Sequence, residues 1–254
     1  MRACILAAGI GQRLRPLTDD KPKALVEVGG KSFLDRLIAQ LVAVGVDELV
    51  IATGWREEAV ARAVANAPIP VVLCRNERFD TTQNSVSLLA CADALLSGGA
   101  QETFKLDGDV VVDVELFRRL LDTRRRTDAG LVAAVDRRDG LGAEEMKVLL
   151  AEGKSDRISA FGKGLDPSRS AGESIGIELL SAGAVSTIVH ALGRIVTGGE
   201  TNLYYEDVYD RLLAPRGGPL DARAAFVEDL PWTEVDTAED LARAGQIAGR
   251  TRLA

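Results

Sequence analysis

The sequence predicts an α/β fold, a mixed and mostly parallel sheet with helices on both faces and an antiparallel addition in its second half. Three observations carry this. Over residues 1–112, short apolar runs bounded by turn residues alternate with segments of helical spacing, the order that builds a parallel sheet through strand–helix–strand crossovers. Gly9 and Gly11 directly follow the first apolar run, as a loop at the carboxyl edge of such a sheet requires. Beyond Asp113 the apolar runs crowd together as GLVAAVD, EMKVLLAEG, DRISAFGKG and ESIGIELLS, which reads as short antiparallel strands.

Taken in order, residues 2–8 (RACILAA) form a buried first strand that runs into the glycine turn. Phe33, Leu34, Leu37, Ile38, Leu41 and Val44 recur at helical spacing, and Gly45 supplies the stop. The strand ELVIAT (48–53), a helix near 56–66, the strand VVLC (71–74), a helix near 84–96 and the strand TFKLDGD (103–109) continue the alternation. A helix near 113–125, the four crowded strands, helices near 181–197 and 203–213, the strand AAFVED (224–229) and a helix over 238–248 complete the chain.

A hydrophobic content of 46% over 254 residues suffices for a substantial core. The net charge of −7 argues against nucleic acid as a partner, because modules that bind it carry a basic field or face. Cys4, Cys74 and Cys91 form no CxxC pair and lie in apolar stretches, which fits a reducing, cytoplasmic compartment. No apolar run approaches the ~20 residues of a membrane span. Arg2 is followed by a short apolar segment that turns into glycine and charge, so a soluble, unprocessed chain with no membrane partner is expected. The arginine run 124–126 reads as a solvated helix end, and the lone His190 as a structural residue around which no zinc site or Ser-His-Asp triad can be assembled.

The most informative segment is LAAGIGQRLRPLTDDKPKALVEVGG, residues 6–30. Its small residues let main-chain N–H groups approach phosphate oxygens, which makes Leu6, Ala7, Ala8, Gly9 and Gly11 candidate nucleotide contacts. Arg13 and Lys23 are candidate catalytic cations, placed to neutralise charge that builds on an α-phosphate and a departing pyrophosphate. An ordinary tight turn is the plain alternative. A dinucleotide-binding loop is another, but GIGQRL lacks the third glycine of that motif and PLTDDKPK interrupts the helix it needs.

That segment follows the signature LAAGxGxRLxPLTxxxPKxLxxxxG, and on it the chain resembles the sugar-nucleotidyltransferase-like superfamily. The resemblance implies a Rossmann-like fold, an NTP over the first loop, Mg²⁺ as cofactor, and in-line attack by a substrate phosphate on the α-phosphorus. By position it sets Ala8, Gly9 and Gly11 against the nucleotide and Arg13 and Lys23 on the phosphates. Residues 1–254 then read as a single nucleotidyltransferase domain, with 1–112 the nucleotide-binding half and 113–254 the acceptor-binding half.

Mg²⁺ takes one or two carboxylates together with phosphate oxygens, so acids at strand ends are the candidates. LDGD offers Asp107 and Asp109, and Asp236 in WTEVDT lies in a segment resembling the one where the family places a metal-binding aspartate. Asp109 and Asp236 are assigned to the metal, and Asp107, expected on the same strand face as Asp109, to the nucleotide. The structural alternatives are a turn beside Gly108 and competition between Asp236 and Thr237 to cap the last helix.

In RNERFDTTQNSVSLLACA (75–92), Gln83, Asn84 and Ser85 can read a pyrimidine edge, while Asn84 or Ser85 can equally cap the following helix. The T-x-N-x-x-S pattern there, with EMKV (145–148), GESIGI (172–177), YYEDV (204–208) and WTEVDT (232–237), resembles the cytidylyltransferase branch that acts on phosphocholine, inositol phosphate and phosphonates. It departs from the PxGLAxA-like segment of the thymidylyl- and uridylyltransferases. CTP and a small phosphorylated or phosphonate acceptor are therefore the implied substrates. Lys147 is the implied ligand of the acceptor phosphate, and Glu173, Tyr204, Tyr205, Glu206 and Trp232 the residues for a cationic head group, with core packing the alternative for Tyr205 and Trp232. A UTP or dTTP sugar-1-phosphate enzyme and a non-catalytic nucleotide-binding regulatory module are the rival readings, and the residues do not decide whether the chain forms a homodimer.

Overall fold

In the computed structural model, which describes residues 1–138, 140–153 and 156–251, the first half alternates as the periodicity predicts. β1 (Arg2–Leu6) leads through the glycine loop and a small hairpin, β2 (Glu27–Val28) and β3 (Lys31–Ser32), into α1 (Phe33–Ala43). There follow β4 (Glu48–Thr53), α2 (Glu57–Ala63), β5 (Val71–Arg75), α3 (Asn84–Ala90), α4 (Ala92–Leu96), β6 (Thr103–Asp107), β7 (Val110–Val112) and α5 (Val114–Thr127). The second half comprises β8 (Leu131–Asp136), β9 (Lys147–Leu150), β10 (Ile158–Gly162), β11 (Gly172–Leu180), α6 (Ala182–Thr197), α7 (Tyr205–Leu212), β12 (Ala222–Phe226), β13 (Trp232–Glu234) and α8 (Ala238–Ala248).

β5, β4, β1 and β6 are parallel neighbours in that order. β11 runs antiparallel to β6 and to β8, and β12 is parallel to β8. GLVAAVD thus pairs antiparallel with β11, as expected, and parallel with β12; β8 itself points the same way as β6, with β11 the reversed strand between them. β9 pairs with the start of β11 and carries β10. Continuous apolar runs such as β1, buried at every residue, suit strands covered on both faces. One apolar core lies between the sheet and α1 and α5, a second between the sheet and α3, α6 and α7. A third, smaller cluster joins Leu14, Val28 and Phe33 to Val235 and Ala244 of the C-terminal segment. No described helix is long and apolar enough to cross a membrane.

Several boundaries move, for local reasons. The strand expected over 103–109 stops at Asp107. Gly108 turns the chain against β1, its N–H donating to the Leu6 carbonyl at 2.9 Å, and a Cβ there would come within 2.7 Å of that oxygen. Asp107 and Asp109 therefore do not alternate as strand residues. The helix expected over 84–96 breaks at Cys91, and its N-cap is Gln83, without a side-chain cap, so neither Asn84 nor Ser85 caps it. Thr237 caps α8 in a capping box with Asp240, which leaves the Asp236 carboxylate free to point elsewhere. β13, paired antiparallel with β7, was not expected from the sequence.

Candidate active site

Leu6, Ala52 and Asp107 are in register on β1, β4 and β6, so the loops leaving these three strands rise at one level on the carboxyl edge of the sheet. Gly11, at φ 70°, starts the single turn Gln12–Leu14, and the Thr18 hydroxyl donates to its carbonyl at 2.8 Å. A second short turn, Lys23–Leu25, brings the Lys23 side chain back beneath Gly11. Its Nζ donates to Asp109 at 2.7 Å and to Asp236 at 2.5 Å, and Arg13 reaches the other oxygen of Asp236 at 2.9 Å. Residues 13, 23, 109 and 236 thus meet at one point, drawn from both halves of the chain. Burial works to lower the Lys23 pKa, but the two carboxylates outweigh it and hold the ammonium above its ordinary range.

Asp109 and Asp236 gain a third partner that the sequence reading missed. Carboxylate oxygens of Asp109, Glu234 and Asp236 lie within 4.8 Å of one another. The signal was present as the i, i+2 spacing of Glu234 and Asp236 in TEVD, overlooked because β13 is only three residues long. One buried oxygen of Asp109, Oδ1, has no hydrogen-bond partner. Three oxygen donors with an unsatisfied buried lone pair fit a hard divalent cation such as Mg²⁺. Enclosure by the surrounding protein, then the charges of Asp109 and Asp236, push the Glu234 carboxyl up to about 8, although the residue is open to solvent on the surface of the site.

Three adjoining cavities share Glu234. One of about 300 Å³ runs over the first loop past Leu6, Ala8 and Gly9 to Phe79, Thr82, Gln83 and Asn84, and reaches Asp107 and Asp109. Ala7 and Ser85 are buried. Asn84 is fixed by accepting the Tyr205 N–H at 3.0 Å. A central cavity of about 130 Å³ is bounded by Asp107, Glu173, Gly176, Tyr204 and Glu206. The third, about 600 Å³, opens outward between Arg13, Arg138, Lys163, Glu173, Tyr204, Trp232 and Arg243.

The acceptor candidates separate by burial. Trp232 lines the outer cavity and donates from Nε1 to Asp136 at 3.0 Å, and the Lys163 ammonium stands 4.5 Å from the centre of the Tyr204 ring. Glu173 pairs with Arg138 at 2.5 Å, and burial pushes its carboxyl up to about 7 despite that partner. Tyr205 instead stands in the core, donating its hydroxyl to Asp107 at 2.7 Å, because the start of α7 turns adjacent side chains to different faces. Lys147 is 1% exposed and spends its ammonium on the carbonyls of Glu145 and Lys163, so Lys163 is the lysine of this region that faces both the central and the outer cavity.

Beneath the central cavity, Lys105 is fully buried, 3.0 Å from Glu178 and 3.4 Å from Asp107, with its ammonium over the Tyr205 ring. Burial pushes Glu206 up to about 8, against the pull of Lys105, and its Oε2 has no hydrogen-bond partner.

Residues 3–143 match the family model described as the MobA-like NTP transferase domain. The chain belongs to this family. The chain is 34% identical over 243 residues to the bifunctional IPC transferase and DIPP synthase of Rubrobacter xylanophilus, covering 94% of this chain and 50% of that one. It is 52% identical over 60 residues to the UTP–glucose-1-phosphate uridylyltransferase of Haloferax volcanii, 24% of this chain and 25% of the relative. Against the choline-phosphate cytidylyltransferase of Streptococcus pneumoniae it is 25% identical over 256 residues, covering 97% of this chain and 98% of the relative. The chain therefore spans half or less of the first two relatives and nearly all of the third. The inositol-1-phosphate CTP transferase from T. maritima shares the fold, with a TM-score of 0.76 at 19% identity over 99% of this chain and 97% of that one.

Proposed function

We propose that this chain is a Mg²⁺-dependent cytidylyltransferase that moves CMP from CTP to the phosphate or phosphonate of a small acceptor with a cationic head group. The observation that carries this reading is the junction of the three cavities at Glu234, beside Asp109, Asp236, Lys23 and Arg13. A donor lying over Ala8 and Gly9 would bring its α-phosphate to that junction, and an acceptor between Tyr204 and Trp232 would present its phosphate from the opposite side.

An acceptor oxygen attacks the α-phosphorus, the bond from the α-phosphorus to the bridging oxygen breaks, and pyrophosphate leaves with the electron pair. The attacking oxygen is anionic near neutral pH, so alignment and charge neutralisation suffice without a general base. Asp109, Glu234 and Asp236 are the residues that would hold Mg²⁺, which supplies Lewis-acid neutralisation of the phosphates. Arg13 and Lys23 contribute fixed positive charge beside the same point. Glu173 and Glu206 offer carboxyl oxygens, and the Tyr204 ring a π-face, to a cationic head group, whose charge would favour the ionised form of both carboxyls. The free cysteines fit a reducing, cytoplasmic setting.

Pyrophosphate release with Mg²⁺, using CTP, UTP, dTTP and ATP against phosphocholine, 2-aminoethylphosphonate, inositol 1-phosphate and glucose 1-phosphate, tests donor and acceptor together. Turnover confined to CTP with an amino-alcohol phosphate or phosphonate is the expected result. The similarity to the Haloferax enzyme supports a second reading, and turnover of UTP with glucose 1-phosphate would replace the first by it.

A further inference from the structure

Of the six phenylalanines, Phe33, Phe104, Phe117, Phe161 and Phe226 sit in or against the three apolar cores. Phe79 belongs to none of these clusters among the described residues; it is half-buried, on the loop between β5 and α3. It lines the cavity over the first loop together with Ala8, Gly9 and Gln83. Gly54 makes this placement possible: a Cβ there would meet Phe79 Cβ at 2.5 Å and the Ala8 carbonyl oxygen at 2.8 Å. Gly54 has no positive φ to explain it, so the glycine is required by space. The Phe79 ring is thereby brought beside the Ala8–Gly9 main chain, and the two form adjoining walls of one slot.

The loop that carries Phe79 is held by a buried amide. Asn76 is 3% exposed, and its Nδ2 donates to the hydroxyls of Thr82 at 3.2 Å and Ser87 at 3.1 Å. Its Oδ1 accepts the Arg78 N–H at 2.9 Å, and the Thr82 hydroxyl donates back to the Arg78 carbonyl at 2.7 Å. All four of its side-chain and main-chain partners lie on the segment from 78 to 87 or on β4, so Asn76 ties Phe79, Thr82 and Gln83 to the strand end.

We propose that Phe79 is the apolar wall on which the pyrimidine ring of the donor rests, and that Asn76 is the positioning residue that sets this wall. The inference rests on the nucleotidyl-transfer reading above and adds a determinant of donor affinity to it. Every nucleobase has a π-face, so Phe79 supplies affinity for the ring, while the side-chain amide of Gln83, which lines the same cavity, is left to read its edge.

Calorimetric titration of CTP and, separately, of inorganic pyrophosphate into the full chain with Mg²⁺ tests this. Phe79→Ala should weaken CTP binding about ten- to a hundredfold, Phe79→Tyr should stay close to the native chain, and pyrophosphate binding should be unchanged in both. Asn76→Ala should likewise weaken CTP and spare pyrophosphate, a split that mere loss of fold would not give. Native CTP affinity in Phe79→Ala would overturn the wall, and equal losses for both ligands in Asn76→Ala would overturn its positioning role. Should the native chain bind neither CTP nor UTP, the proposed function itself would fall, and this inference with it.

Discussion

Gly9 and Gly11 look alike in the sequence but answer to different constraints, and replacing each by alanine separates them. Gly9 has no positive φ, is exposed, and a Cβ there would meet nothing within 4 Å. Folding therefore gives no reason for glycine at this position. Gly9→Ala should be neutral or stabilising by about 0.4–1 kcal/mol through the unfolded chain, a rise in melting temperature of roughly 1–4 °C for a domain of this size. Gly11 sits at φ +70°, and a Cβ would come within 3.0 Å of Lys23 Cβ and 3.1 Å of Thr18 Cγ2. Gly11→Ala should cost about 1–2 kcal/mol from the left-handed backbone alone, before any displacement of Lys23. Gly9 lines the cavity over the first loop, so a methyl there would crowd a nucleotide placed as proposed, and overpacking of about 1–3 kcal/mol corresponds to a loss of roughly five- to 150-fold in kcat/KM for CTP. Thermal melts and pyrophosphate release measured side by side give the two readouts. A Gly9→Ala protein with native kcat/KM would refute the placement of the nucleotide over this loop.

Other expectations follow from the same geometry. Asp236→Ala removes a shared partner of Lys23 and Arg13 as well as a candidate metal ligand; turnover should be lost with the fold retained by circular dichroism, and full activity with Mg²⁺ would contradict the site. Chelation by EDTA should abolish pyrophosphate release, and added Mg²⁺ should restore it. Lys105→Met would leave Asp107, Glu178 and Glu206 without their buried counter-charge; the cost should be about 3–5 kcal/mol, a fall in melting temperature on the order of 10 °C. Because burial raises the Glu173 carboxyl from its ordinary range to about 7, the folded state holds that proton longer than the unfolded chain. Its contribution to stability is greatest below about pH 4.5 and is lost as pH rises through 7. Denaturant titrations from pH 4 to 8 should show a flatter profile for Glu173→Gln.

The parallel half of the fold was legible because strands covered on both faces must be apolar along their whole length, and helices between them carry the 3.6-residue period. The direction of β8 was not, since no residue in LVAAVD encodes which way its neighbour runs; β11, arriving forty residues later, decides it. In the site, Lys23, Asp109 and Asp236 could be picked out because a long motif and strand-end position mark them. Glu234 escaped because its strand exists only through pairing with β7, more than a hundred residues away. The choice between Lys147 and Lys163 turns on a hydrogen bond across the β9–β10 hairpin, and that between Tyr204 and Tyr205 on the phase of a helix start. Phe79 was hidden by its own chemistry, since a phenylalanine in a sequence is expected to be core until the cores are seen to close without it.

The ammonium of Lys23 between Asp109 and Asp236 carries a consequence for how the protein meets its ligands. With one cation already in place, mutual repulsion of the acids is balanced from within, and a divalent ion held through Asp109 Oδ1 and Glu234 would add its charge beside the lysine ammonium. On the proposed function, the added positive charge would then be met by the triphosphate. Ion and nucleotide should accordingly favour each other's arrival, by the same factor in either order: weak association of each alone, and tight association of the two together.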